Sequence, residues 1–531
     1  MPPPMDRRSF LKQTAVIAAT GLAACHEDSL PPVATASATP PLTPTPSPVP
    51  APAPTGVAAL APEAPAPVSA AFQHGVASGD PTQDKVVLWT RITQTPAATA
   101  NVDWLIAKDP ALTQIVAQGT ASAAAARDYI VKVDVSGLAP GTSYYYRFLL
   151  PDGGSPIGRT RTLPTGNVEK LRIALVTCSQ SGSVFNAYQR VAERADLDLV
   201  LHLGDYVYAD TDVTLDQYRT RHKNYKADNA ELRELHRQHP MVVIWDDHET
   251  CNDAYATGAP PPNPAVGPLW NVRKSTATQV FFEHLPIRDN ADGSRRIYRD
   301  FSAGDLADLF MLDGRLEGRS EQVSGETDAA RSDATRTMLG LEQEAWIADK
   351  LRGSKATWKL IGNQTMIGHL NEVTATGAKT NNWMDQWDGY PPARQRFYDV
   401  LKGSATTPKV NNAIVCTGDW HNSFIMDLPE DPQTTYDGAT GAGSLAVEFV
   451  TPSITSGFFG VSDLAPHSPH IKHHDDSKHG YILLDITPAR VVGEMWVVDT
   501  ISAVSRNESL FVAFENRAGE NHLRPYSAGP T

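Results

Sequence analysis

Five short apolar runs constrain this chain more than any other feature. They read LRIALVTCSQ, LDLVLHLGDY, MVVIWDDHE, TWKLIGNQ and NAIVCTGDWH, each a buried-strand pattern that breaks on a residue able to bind a metal. Helical patterns lie between them. Phe185, Tyr188, Val191 and Ala195 recur at helical spacing, as do Leu341, Ala345, Ala348 and Leu351 before Gly353. This alternation predicts an α/β fold, in which ligands bind beyond the carboxyl ends of the strands. A single Gly-Asp after a strand is usually a turn. Five strand ends in order bring Cys178, Asp205 with Tyr208, Asp247 with His248, Asn363, and Asp419 with His421 to one edge.

The donor types divide in two. Cys178, Tyr208 and His421 suit a transition metal, whereas Asp205, Asp247, Asn363 and Asp419 suit a hard ion such as calcium, magnesium or manganese. That division implies two metals sharing one carboxylate. Two ions about 3.5–4 Å apart polarise a phosphoryl oxygen and generate hydroxide for in-line attack, so phosphate ester hydrolysis is the natural reaction. A net charge of -14 over 531 residues provides no extended basic surface, and no specific nucleic-acid binding is expected. Four cysteines are too few for a disulfide scaffold. Cys416, inside a strand pattern, reads as a core residue.

The N-terminus reads as an address. Residues 1–25 hold paired Arg7 and Arg8, a short apolar region and the stretch Leu22 to Cys25, which resemble a Tat signal ending in a lipobox. Export through the Tat translocase to the periplasm or cell surface follows, with Cys25 as lipid anchor; ordinary cleavage after a small residue is the alternative. Residues 26–69 are rich in Pro, Ala and Thr and read as a disordered tether.

Residues 70–166 hold KVVLWTRI, VDWLIAK, YIVKVDV and SYYYRFLL, separated by turn signals, which predicts an all-β sandwich. Its VSGLAPGTSYYYRF looks like the late hairpin of a fibronectin type III domain. No catalytic set assembles there, so a structural or positioning role is expected. Residues 167–531 form the predicted catalytic domain.

The motifs VTCSQ, GDYVYAD, WDDHE, GNQ, WDGYP and GDWHNS, with HGVASGDP upstream and NESLFV downstream, resemble the PhoD-like alkaline phosphatases and phosphodiesterases of the calcineurin-like metallophosphoesterase superfamily. The resemblance implies a β-sandwich followed by a four-layer αββα core with an iron(III) and calcium centre. By that resemblance Asp205 bridges the metals, and Cys178, Tyr208 and His421 bind iron, with Tyr208 colouring the protein. Asp247 and Asp419 stand where the superfamily has Asn and His, favouring a hard ion. Asn363 also replaces a histidine ligand, and Asp388 of WDGYP is a further candidate, either as a calcium ligand or as a partner of one. His248 resembles the histidine that contacts the phosphoryl group, and Arg315 one that grips phosphate, although Gly314 departs from the family's Asp-Thr-Arg. The cluster His467, His470, His473, His474 and His479 is assigned no ligand.

Three readings follow for the function. The first is an exported metal-dependent alkaline phosphatase and phosphodiesterase. The second directs the same centre to phospholipid headgroups, as a phospholipase D-like phosphodiesterase, and the third is a non-catalytic surface phosphate-binding lipoprotein. Mass spectrometry of exported protein should find acylated Cys25 at the mature N-terminus; an unmodified thiol there rules the anchor out.

Overall fold

The computed structural model describes residues 58–62, 67–93, 99–260, 267–373, 379–461, 464 and 467–527. The expected signal, Cys25 and the tether as far as Val57 lie outside the described residues.

Two large mixed sheets carry the fold. In the ten-stranded sheet Leu171–Val176, Leu199–His202, Pro240–Val243 and Val76–Gly79 run parallel at the centre. Nearly every residue of these strands is buried, which is why Leu171–Val176, Leu199–His202 and Pro240–Val243 read as mainly apolar runs. Antiparallel strands extend one side through Gly480–Ile486, Arg490–Val498, Glu508–Arg517 and Leu523–Pro525. The other side ends in Lys85–Arg91 and Ile130–Ser136.

The seven-stranded sheet runs in the order Arg299–Ala303, Ala307–Met311, Trp358–Asn363, Ala413–Thr417, Ser444–Val450, Ser423–Pro429, Ile471–Asp475. Leu175, Leu201 and Val242 from the first sheet share one buried cluster with Leu309, Leu360, Ile414 and Phe449 from the second. Each such side chain contributes about 1.5–3 kcal/mol by leaving water.

The N-terminal region is all-β. Its own sheet pairs Ile115–Ala124 with Thr99–Ala107 and the latter with Ser143–Leu150, which also receives Gly153–Gly154 and Gly158–Arg161. Val102, Ile106, Tyr146 and Phe148 from this sheet pack on Val86, Leu88 and Val131 of the ten-stranded one. Val76–Gly79 thus joins the N-terminal region to the core through its parallel ladder with Pro240–Val243. Sequence gives no sign of this ladder, because its partners are far apart in the chain.

Helices Asn186–Ala192 and Leu341–Gly353 appear where the apolar spacing predicts them. Helix Leu215–Asp228 starts at a capping box: Gln217 N donates to the Thr214 hydroxyl at 3.3 Å and Thr214 N to Gln217 Oε1 at 2.9 Å. Its last turn carries Tyr225, whose hydroxyl accepts hydrogen bonds from Ser181 N and Tyr208 N at 3.2 and 3.1 Å. One helix therefore ties together two loops that follow different strands.

The joint between the N-terminal region and the core is tight at Gly79. A Cβ there would lie 2.5 Å from the carbonyl oxygens of Met241 and Pro286. Gly79→Ala is therefore expected to cost about 1–3 kcal/mol, read as a lower urea midpoint. An unchanged midpoint would show that the ladder yields freely.

Candidate metal centre

Past their strands, the loops turn abruptly. Cys178, Asp205, Asp419 and His421 have φ of +56°, +54°, +63° and +60°, the left-handed region that side chains seldom occupy. Each costs about 1–2 kcal/mol, so the surroundings must hold them. Ser179 N donates to Asp205 O at 3.0 Å, Trp420 N to Gly418 O at 2.7 Å and Ser453 N to His421 O at 2.9 Å. Glycine makes the crossings possible. A side chain on Gly204 would collide with Asp246 Cβ, and one on Gly418 would lie 2.6 Å from the Thr177 hydroxyl.

These turns gather the donors. Cys178, Asp205 and His421 each place a ligand atom within 4.8 Å of the others, as do Asp205, Asp247 and His248, and again Asp246, Asp247 and Asp419. All are buried. Asp205 belongs to two of these groups, the position a shared carboxylate needs. The Tyr208 hydroxyl joins the first group, 3.1 Å from Asp205 Oδ2 and 3.2 Å from His421 Nε2. His421 Nδ1 faces Gly457 O at 2.5 Å, which assigns the proton to Nδ1 and turns Nε2 to the centre as a donor. Phe459 stacks on that ring, 4.7 Å between centroids.

Asn363 ends its strand beside this edge; its carbonyl oxygen accepts from Gly418 N at 3.3 Å, and its amide nitrogen donates to Thr365 O. Among the described residues, buried Asn363 Oδ1 and Asp246 Oδ2 have no hydrogen-bond partner. His248 Nδ1 lies 2.8 and 2.9 Å from the two oxygens of Asp210, and its ring is 4.3 Å from that of Tyr208. Arg315 is fully buried and reaches Asp246, Asp385 and Asp419. Asp388 belongs to none of these donor groups and is held by other partners: Arg394 Nη1 donates to it at 2.5 Å and Leu370 N at 2.9 Å. Burial pushes its pKa up, but Arg394 and His369 bring it down to about 2.

The electrostatics call for positive charge. Burial, then the Asp205 carboxylate, raises both the Cys178 thiol and the Tyr208 phenol well above their ordinary ranges. A cation would reverse that. Glu249, pushed up to about 8 by burial and then by Asp205, accepts from Asp205 N at 3.2 Å, Tyr206 N at 2.5 Å and Asp246 N at 2.7 Å.

Sequence reading missed several of these groups. Asp246 and Glu249 flank residues it selected, whereas Asp210, Asp385 and Ser456 bear no strand-end mark. Ser456 is nonetheless 2.5 Å from the Tyr208 hydroxyl and donates to Cys178 O at 3.0 Å.

Family profiles decide the assignment. The PhoD-like phosphatase, N-terminal domain profile matches residues 58–164, and the PhoD-like phosphatase profile matches residues 173–495. The chain belongs to the PhoD-like phosphatase family. Alkaline phosphatase D of Bacillus subtilis (strain 168) is 34% identical over 498 residues, 86% of this chain and 82% of that protein. A solved structure described as "Structure of PhoD" has a TM-score of 0.78 and 32% identity, covering 88% of this chain and 94% of that one. This PhoD-like phosphatase is thus a phosphoric ester hydrolase, with buried side-chain groups fit for metal ions.

In this PhoD-like phosphatase, Glu249→Gln leaves a buried backbone N–H facing an amide donor. A loss of about 1–3 kcal/mol in urea unfolding is expected, with less metal retained on purification. Wild-type stability and metal content would exclude a role for Glu249 in shaping these loops.

Proposed function

We propose that the chain is an exported, metal-dependent alkaline phosphatase and phosphodiesterase whose centre holds iron(III) and calcium. The overlap of three buried donor groups through Asp205 and Asp247 carries this reading. The residues fit the ions: a thiol, a phenol and an imidazole surround one position, and carboxylates dominate the next. Asn363 Oδ1 and Asp246 Oδ2, without hydrogen-bond partners among the described residues, are further oxygen donors in waiting. Cys178, Tyr208, His421 and Asp205 would hold iron; Asp205, Asp247, Asn363 and Asp419 would hold calcium. When bound, such a pair supplies Lewis-acid activation of the phosphoryl group and of water.

The chain's own contribution is a proton donor. Asp210 holds His248 by Nδ1, so Nε2 is the nitrogen available to a leaving oxygen. Burial pulls the His248 pKa down, but Asp210, then Asp205 and Asp247, raise it well above its ordinary value; Asp210, which is not among the proposed metal ligands, is the partner that would stabilise a proton on the ring. Arg315 is the candidate for phosphate contact.

The finer architecture belongs to the same reading. The two core sheets, packed through one cluster, suit the inner layers of an αββα core, and residues 70–166 suit a fibronectin-III-like sandwich before a catalytic domain from 167. The twin arginine and Cys25 support Tat export and a lipid anchor in the periplasm or at the cell surface.

His248→Ala should lower kcat by about 10²–10⁴-fold, more for alkyl than for p-nitrophenyl leaving groups, which need less protonation. Equal losses for both would remove the proton-donor role. Metal analysis of exported protein with visible absorbance tests the centre: iron, calcium and a Tyr208-dependent band are expected. Colourless, iron-free protein with full activity would reject the assignment.

A further inference from the structure

Arg315 touches every member of one acidic group. Its Nη2 is 2.7 Å from Asp419 Oδ1 and 3.8 Å from Asp247 Oδ1, and its Nε donates to Asp246 Oδ1. Asp246, Asp247 and Asp419 are the three carboxylates whose oxygens lie within 4.8 Å of one another. From the other side Asp385 holds Nη1 with both oxygens at 3.0 Å. Asp385 is itself gripped by Arg319 Nη2 at 2.6 Å and Gln322 Nε2 at 2.9 Å. The guanidinium is therefore suspended between an anchored carboxylate and the acidic group.

We propose that Arg315 is the resident counter-cation of this acidic group and competes with the hard ion for Asp246 and Asp419. The inference rests on the two-ion reading above and gives Arg315 a role in ion occupancy that phosphate contact alone does not require. Two physical facts support it. An oxygen that accepts from a guanidinium has less electron density to donate to a metal, and Arg315 engages one oxygen each of Asp246 and Asp419. A guanidinium and a divalent ion held by the same buried carboxylates also repel each other strongly, because little water screens them.

The arrangement has a use. Without an ion, buried like charges would drive the strand ends apart, and Arg315 offsets that repulsion. When an ion takes the carboxylates, the arginine is released from Asp246 and Asp419 while Asp385 retains it at the site. Ion binding and exposure of a phosphate-gripping fork are thereby coupled. A lysine could not hold the same four carboxylates at once, since its ammonium is a point charge.

The test is equilibrium dialysis of iron-loaded enzyme against a calcium series, with bound calcium read by elemental mass spectrometry. Arg315→Gln should reach half-saturation at about tenfold lower calcium, and Arg315→Lys, which keeps charge but loses the fork, at a concentration between glutamine and wild type. Should the glutamine variant fail to fold, the lysine variant still decides, since a half-saturation equal to or above wild type overturns the proposal. Equal calcium affinity in all three proteins overturns the role of Arg315 alone. No bound calcium in the wild-type enzyme at any concentration overturns the two-ion reading and this inference together.

Discussion

Buried negative charge is the constraint on which this structure depends. Asp205, Asp246, Asp247 and Asp419 lie together out of water, with Arg315 the guanidinium among them. Carboxylates so placed hold together only when opposing charge and hydrogen bonds compensate for the lost solvent. Much of the local architecture meets that need. Left-handed turns present the groups over the strand ends, Glu249 collects the backbone N–H groups of two loops, and Ser456 and Gly457 orient the phenol and the imidazole.

The two sheets make such a site affordable in strain. Three of the site's loops leave the ten-stranded sheet and four leave the seven-stranded one, after Ala307–Met311, Trp358–Asn363, Ala413–Thr417 and Ser444–Val450, yet both sheets pack through a single apolar cluster. Loops on so rigid a base can keep residues in conformations that cost energy on their own. The N-terminal region adds to this base, because Val76–Gly79 lies beside the strand that leads to Asp246 and Asp247. Asp80, just past that strand, is clasped by Arg299 Nη2 at 2.7 Å, an ion pair that reaches from the N-terminal region to the edge of the seven-stranded sheet.

Legibility in the sequence followed distance along the chain. The strand runs and their polar ends were visible locally, and Cys178, Asp205, Tyr208, Asp247, His248, Asp419 and His421 do come together. Asp388 stood in an equally suggestive motif, but Arg394, six residues further on in helix Pro391–Lys402, claims it. The carboxylate near the centre is Asp385, three residues earlier, where neither periodicity nor a strand end marks it. Asp210 was hidden inside GDYVYAD, because its partner His248 belongs to another loop.

The sequence by itself determined the element types, the order of the polar strand ends and the family, since period, punctuation and motif spacing are properties of neighbouring residues. Tertiary structure alone decided which carboxylates share a volume, that Arg315 is paired with four carboxylates there, and that the N-terminal region continues the core sheet. The physical reason is that charge compensation and strand pairing act through space between groups far apart in the chain, and only the packing of one sheet on the other sets those distances.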